Sequence, residues 1–227
     1  ADYSLSGIAR LLARWRIRLK RGRYQLASPD PDYRGKCERL AAALADARHD
    51  PAHERLLYVD ECSVYRQPTL APAWWPVGAT AEPTVPRSLR SNICRRYAGA
   101  LDVVTGQVTW LERARMTVPS LCAFLEALRQ AYPEQHLSVA WDNWTVHRHE
   151  RVLQTAERLQ IEVLWLPTYA PWTNPIEKLW RWLRQDVIHH HQLADEWDAL
   201  RQRVADFLDQ FARGSPALLR YVGLLPE

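Results

Sequence analysis

A short apolar run, Ile161 to Leu166, stops at Pro167 and passes through a proline-rich turn into an apolar pattern of different period. The first run has the length and β-branched content of a buried strand. In the second, Ile176, Leu179, Trp180, Leu183 and Val187 recur at helical spacing. Asn174-Pro175 supplies the helix start, with asparagine as cap and proline in the first turn, where its missing N–H costs nothing. A strand leading so abruptly into an amphipathic helix requires a sheet with a helix packed on its face. Glu177 lies in the first turn of that helix. As its third residue it completes a capping-box-like pair with Asn174 and suits the helix dipole. On that position alone, a cap is the commoner role.

The remaining chain follows the same logic. Helices are predicted over residues 4–20, with Ile8, Leu11, Leu12, Trp15 and Leu19 as a stripe, and over Tyr33 to Arg48, with Cys37, Leu40, Ala41 and Leu44 inward. Leu56 to Val59 is a short strand ended by Asp60-Glu61. Cys62 to Asn92 is rich in proline, carries Trp74 and Trp75, and reads as a long loop; loops of that length are usually functional or disordered, and the aromatics argue against disorder. Arg95 to Leu101 and Val108 to Leu111 form a hairpin turned at Thr105-Gly106. A helix follows Met116-Thr117, then a strand from Leu137 to Trp141 ended by Asp142-Asn143. A helix over His147 to Gln160 places Val152, Leu153, Ala156 and Leu159 inward. The last helix spans about Ala194 to Arg213. An antiparallel start followed by alternating strands and helices predicts an α/β fold, a mixed five-stranded sheet flanked by helices.

Composition excludes some classes. No apolar run approaches a membrane span and no signal-peptide pattern opens the chain. Cys37, Cys62, Cys94 and Cys122 form neither a CxxC pair nor a zinc spacing, which suggests a reducing, cytosolic setting. His189, His190 and His191 read as a metal-binding tract or a solvated helix end. The net charge is +4, yet Arg10, Arg14, Arg16, Arg18, Lys20, Arg21 and Arg23 fall in a strip without a single acid, and the body is near neutral. A basic arm of this kind points to a polyanion, most simply nucleic acid, against the alternative of a solvated amphipathic helix.

Asp60 and Asp142 each end a predicted strand. Were those strands parallel neighbours, the two carboxylates would meet at one sheet edge, within reach of Glu177. Three crowded carboxylates repel and need a cation, and at least one is expected to have a raised pKa. Hard oxygen ligands suit Mg2+ or Mn2+, two of which can clamp the attacking and leaving oxygens of a phosphodiester. On this reading Asp142→Asn is expected to leave the metal-free fold no less stable.

These residues sit in a set of motifs: Val59-Asp-Glu61, Trp75-Pro-Val-Gly78, Gly99-Ala-Leu-Asp102 with Thr105-Gly106, Trp141-Asp-Asn143 with His147, and Leu166-Pro-Thr-Tyr-Ala-Pro-Trp-Thr-Asn-Pro-Ile-Glu177, with 34 residues between Asp142 and Glu177. In order, spacing and flanks the chain resembles the mariner superfamily of DDE transposases, in particular its bacterial insertion-sequence branch, over roughly residues 28–190. The resemblance implies a ribonuclease H-like fold. It implies that Asp60, Asp142 and Glu177 are catalytic and bind two divalent ions, Mg2+ or Mn2+. It implies hydrolytic nicking at transposon ends, then attack of the freed 3′-hydroxyl on target DNA, commonly at a TA dinucleotide, by a homodimer assembled on double-stranded DNA.

Asn143 and Asn174 are expected to orient carboxylates or water, and His147 either to contact a phosphate or to sit at a helix start, satisfied by the backbone. The 62–92 loop falls where relatives contact the partner subunit or DNA. The expected organisation is a helix-turn-helix remnant over residues 1–27, a linker and helix over 28–53, and a catalytic domain over 54–227. Relatives carry two such N-terminal modules, so a complete enzyme is expected to have more chain. Arg14, Arg16, Arg18, Lys20, Arg21 and Arg23 are the candidate DNA contacts, and the expected location is the bacterial cytoplasm, at the nucleoid. The rival readings are a nuclease of the same fold that cuts without joining, and a decayed or domesticated DNA-binding protein; all three acids being present argues against the latter.

Overall fold

The computed structural model of the protein describes residues 4–18, 27–74, 76 and 84–226. Strands β1 (Glu54–Tyr65), β2 (Cys94–Asp102), β3 (Val108–Arg113), β4 (His136–Trp141) and β5 (Ile161–Trp165) form one sheet in the order β3-β2-β1-β4-β5. β1, β2 and β3 run antiparallel, while β1, β4 and β5 run parallel. The sheet is therefore mixed and five-stranded, as the alternation of strands and helices predicted.

Period-two alternation in β1 divides the core between two faces. Leu56, Tyr58, Cys62 and Val64 join one apolar cluster, and Leu57 and Val59 join the other. The first cluster is closed by helices α2 (Tyr33–His49), α5 (Ile176–Leu183), α6 (Trp197–Asp209) and α7 (Pro216–Val222). The second is closed by α3 (Val118–Ala131) and α4 (Glu150–Arg158). In α2, Leu40 and Ala47 are buried and Leu44 packs against the same cluster as expected, while Ala41 faces solvent, contrary to expectation.

β1 departs most from its sequence reading. It does not end at Asp60-Glu61 but continues to Tyr65, because β2 keeps pairing with it from Leu57 to Tyr65 after β4 has left. The long loop accordingly starts after Tyr65. α4 begins at Glu150, not at His147, with His149 as its cap accepting from Arg151 N–H. Leu153 on α4 is exposed, while Val152 and Ala156 are buried. α7 was not anticipated, although its signals are present: Ser215 caps the N-terminus, Pro216 follows, and Gly223 closes it at φ 86°.

At the N-terminus α1 (Leu5–Arg14) is shorter than predicted. Arg16 takes a left-handed φ of 57°, and Ile17 N–H reaches back to Leu12 carbonyl, a Schellman closure. α1 buries no residue, and Arg14, Arg16 and Arg18 are exposed. Leu19, Lys20, Arg21 and Arg23 lie outside the described residues, as do Trp75, Val77 and Gly78 of the loop motif.

Two segments read as loose connections are tied to the body. Asp30 accepts from Thr168 N–H (2.7 Å) and from Lys36 Nζ (2.7 Å), and Ser28 Oγ donates to Thr168 carbonyl. Lys36 first, then Thr168, hold the Asp30 carboxyl well below its usual range. The histidine tract is likewise not a solvated helix end. Thr69 Oγ1 pairs with His189 Nδ1 (2.7 Å) and Ala71 N–H donates to His190 Nε2 (3.0 Å), so two of the three histidines clasp the start of the long loop.

Candidate active site

Asp60 and Asp142 stand side by side. The last paired position of the parallel β1–β4 ladder is Tyr58 opposite Ala140, and each acid lies two residues beyond it. α5 brings Glu177 to the same place. Asn174, buried, donates from Nδ2 to Val59 carbonyl (3.2 Å) and accepts from Ile176 N–H (3.4 Å), which clamps the start of α5 to the residue before Asp60. Asp60, Asp142 and Glu177 line one cleft of 480 Å³.

The capping account of Glu177 does not hold. No hydrogen bond returns from its carboxylate to the helix start among the described residues, and Asn174 N–H bonds to Pro171 carbonyl instead. α5 starts at Ile176, with Pro175 at its cap position.

Asp60 is the strained member. Burial first, then the charges of Glu177, Glu61 and Asp142, push its carboxyl up to about 8. Its hydrogen-bonding partner is neutral: Trp180 Nε1 donates to Oδ2 at 3.0 Å. Asp142 is in the opposite state. Burial raises its carboxyl, but the bonds from His147 and from Trp144 N–H prevail and hold it low. Asp142→Asn would thus remove a charge-assisted bond, so the expectation that it spares the fold is corrected here; the destabilising carboxylate is Asp60.

His147 is fully buried and cannot reach a phosphate. Its Nδ1 lies 2.7 Å from Asp142 Oδ1 and its Nε2 lies 3.1 Å from Glu61 Oε1. The ring stacks on Trp141 at 4.0 Å and meets the edge of Trp144. Burial alone would lower its pKa, yet the bonds to Asp142 and Glu61 push it up to about 9, so it is an imidazolium bridging two carboxylates. Glu61 escaped the sequence reading. Strand alternation was the available signal, since it turns residue 61 to the face opposite Asp60.

Among the described residues neither asparagine hydrogen-bonds a carboxylate, which was one of the two roles expected of them. Asn143 Nδ2 donates to Leu166 carbonyl (2.6 Å) and its Oδ1 accepts from Arg148, tying the end of β4 to the end of β5. Asp102, which shares a motif with Gly99, is structural: Oδ1 accepts from Val104 and Thr105 N–H and closes the hairpin turn.

The donor set suits a hard divalent cation, because three carboxylates face one cleft and Asp60 has no cationic side chain bonded to it among the described residues. The set is open, since no three His, Cys, Asp or Glu side chains among the described residues are gathered tightly enough to hold an ion already. Asp142 Oδ1 is committed to His147, and Oδ2 remains.

Two further clefts adjoin the acids. One of 760 Å³ shares Glu177 and is lined by Lys178, Arg181 and Arg184; one of 580 Å³ shares Asp60 and Asp142 and is lined by Arg96, Arg115 and Trp144.

Comparison with known proteins agrees with this architecture. The uncharacterized 39 kDa protein of insertion element IS630 from Shigella sonnei is 25% identical over 176 residues, covering 77% of this chain and 50% of that protein. The chain therefore spans about half the length of this curated relative. The crystal structure of the Mos1 mariner paired end complex with Mn superposes with a TM-score of 0.68 at 20% identity, over 98% of this chain and 68% of that one. The Mos1 transposase paired-end complex with left transposon end gives 0.67 at 19% identity, over 97% and 67%. At such identities these matches speak to fold, and the fold is ribonuclease H-like. The model of the DDE superfamily endonuclease family matches residues 55–201, most of the chain, and the protein belongs to that family.

Proposed function

We propose that this chain is the catalytic part of a DNA transposase, which hydrolyses phosphodiester bonds at transposon ends and transfers the freed 3′-hydroxyl to target DNA. The observation that carries the reading is the cleft in which Asp60, under like charge and without a cationic partner among the described residues, faces Asp142 and Glu177. Asp60, Asp142 and Glu177 would hold divalent ions, Mg2+ or Mn2+, and two ions suit a reaction with an attacking and a leaving oxygen. Bound there, such ions supply charge stabilisation at those two oxygens.

The chain's own part is to keep the carboxylates in place. Adjacent parallel strands fix Asp60 against Asp142, the Asn174 clamp fixes the base of Glu177, and His147 fixes one oxygen of Asp142. The Mos1 structures, a paired-end complex with left transposon end and a paired end complex with Mn, favour the same substrate, metal and paired assembly here.

The test is a nicking and joining assay on a plasmid carrying the element's inverted repeats. Metal-dependent cleavage with joined product supports the proposal; cleavage without joining would reduce it to a nuclease.

The clefts lined by Arg181 and Arg184 and by Arg96 and Arg115 present cations where a strand entering the cleft would pass. Arg181→Ala with Arg184→Ala is expected to weaken binding to any DNA and to lower the salt slope by about 0.9 per lost phosphate contact. An unchanged slope in a binding titration would exclude this path.

The basic arm is a separate expectation. Neutralising Arg16, Arg18, Lys20 and Arg21 should weaken binding on every sequence alike, because cations without base-reading groups contact phosphates. Loss confined to one sequence would show base readout instead.

A further inference from the structure

We infer that Trp180 is the positioning residue for Asp60, and that Gly99 is the notch in β2 that admits its ring. The inference rests on Asp60 being a metal ligand, as proposed above.

Glu177 and Trp180 are three residues apart on α5, so one helix face delivers both. The Trp180 side chain is buried, and Nε1 donates to Asp60 Oδ2 at 3.0 Å. The bond matters because Asp60 shares one cleft with Asp142 and Glu177, and a carboxylate facing two like charges would otherwise turn away from them. Indole N–H is a donor only and carries no charge. It fixes one oxygen without neutralising the group, so the attraction for a cation survives. His147 differs, since it brings a charge to Asp142.

Gly99 is paired directly opposite Asp60 across β1 and β2, so both positions face the same side of the sheet. A Cβ at residue 99 would stand 2.6 Å from Trp180 Cη2 and 2.8 Å from Cζ2. Those atoms belong to a rigid, buried ring, so the whole indole must shift to admit a Cβ. Gly99 also pairs with Trp110 on β3 and so is held from both sides. A side chain at residue 99 would drive the indole out of line with Asp60. Gly99 and Trp180 lie far apart in the chain, yet together they set the orientation of one carboxylate.

The test is Mn2+ binding to the full chain, followed by the paramagnetic resonance of the free ion, in wild type, Asp60→Asn and four altered proteins. The first carries benzothienylalanine at position 180, which keeps the ring and replaces N–H with sulfur; the others are Trp180→Phe, Gly99→Ala and Gly99→Ala with Trp180→Phe. The sulfur isostere is expected to melt as wild type does and to bind Mn2+ roughly 10–100-fold more weakly, the range for losing a group that orients a ligand. Gly99→Ala should lower both the melting temperature and the affinity. Adding Trp180→Phe should restore melting, because the clashing ring is shortened, and leave the affinity low. An isostere that binds Mn2+ like wild type overturns the role of Trp180, and a Gly99→Ala chain that melts and binds like wild type overturns the notch. Wild-type binding that is absent, or untouched by Asp60→Asn, overturns the metal reading itself and this inference with it.

Discussion

Asp60→Asn is expected to reduce metal-dependent nicking by about 10³-fold or more, above the roughly 10–100-fold cost of losing a group that merely orients a ligand. The same substitution should make the metal-free chain more stable. Its folded carboxyl is raised to about 8, far above an unfolded aspartate. For a raised group the stability is fully present below the unfolded pKa and is lost as pH rises through the folded one. Metal-free wild type should therefore weaken between about pH 4 and pH 8, and Asp60→Asn should remove that slope. The gain near pH 8 is at most about 5 kcal/mol, in the direction expected of a site built for function against stability. The amide can still present its oxygen to Trp180 Nε1. Melting curves across this range, run beside the nicking assay, check both halves. A variant that still nicks removes Asp60 from catalysis, and one that is strongly destabilised makes Asp60 a structural residue.

His147→Ala should have the opposite effect on stability. It removes the imidazolium between Asp142 and Glu61, leaves two carboxylates facing a gap, and empties the space against Trp141. Breaking a buried pair from one side costs about 3–5 kcal/mol. The pH dependence follows from two shifts. The His147 contribution is present below about pH 6.5 and fades as pH rises through about 9, because the folded pKa is raised. The Asp142 contribution is present above the ordinary aspartate range and is lost as pH falls, because its folded pKa is lowered. The difference between wild type and His147→Ala should thus be largest between about pH 4 and 6.5 and shrink toward pH 9. Chemical denaturation at pH 6 and pH 9.5 measures it. An equal difference at both would show that packing against Trp141, and not the charge bridge, holds the site.

The order of elements and the three acids were legible in the sequence because their signals are local. Apolar spacing marked the five strands, and the spacing from Asp142 to Glu177 with its proline-rich flank marked the site residues. Local signals were also where the reading slipped. An acid at residue 60 looked like the end of a strand, but β2 still had backbone groups to pair, and hydrogen bonding to a neighbour decides where a strand stops. Helical apolar spacing over residues 4–20 carried no information about Arg16, whose left-handed φ ends α1 early.

Only the tertiary structure decided how each acid is held. Trp180 reaches Asp60 across 120 positions, and His147 reaches Glu61 across 86. Neither pairing has a periodicity to betray it, since it arises when the sheet stacks β1 beside β4 and lays α5 across β1 and β2. The same stacking gives the carboxylates opposite electrostatic fates. Asp60 turns to the face closed by α5, where the donor is a neutral indole, and its carboxyl is pushed up. Asp142 and Glu61 share an imidazolium from the turn before α4, and that charge keeps Asp142 ionised. The sequence determined which acids gather; burial and the charge of each partner, properties of the assembled fold, determined which of them waits for a cation.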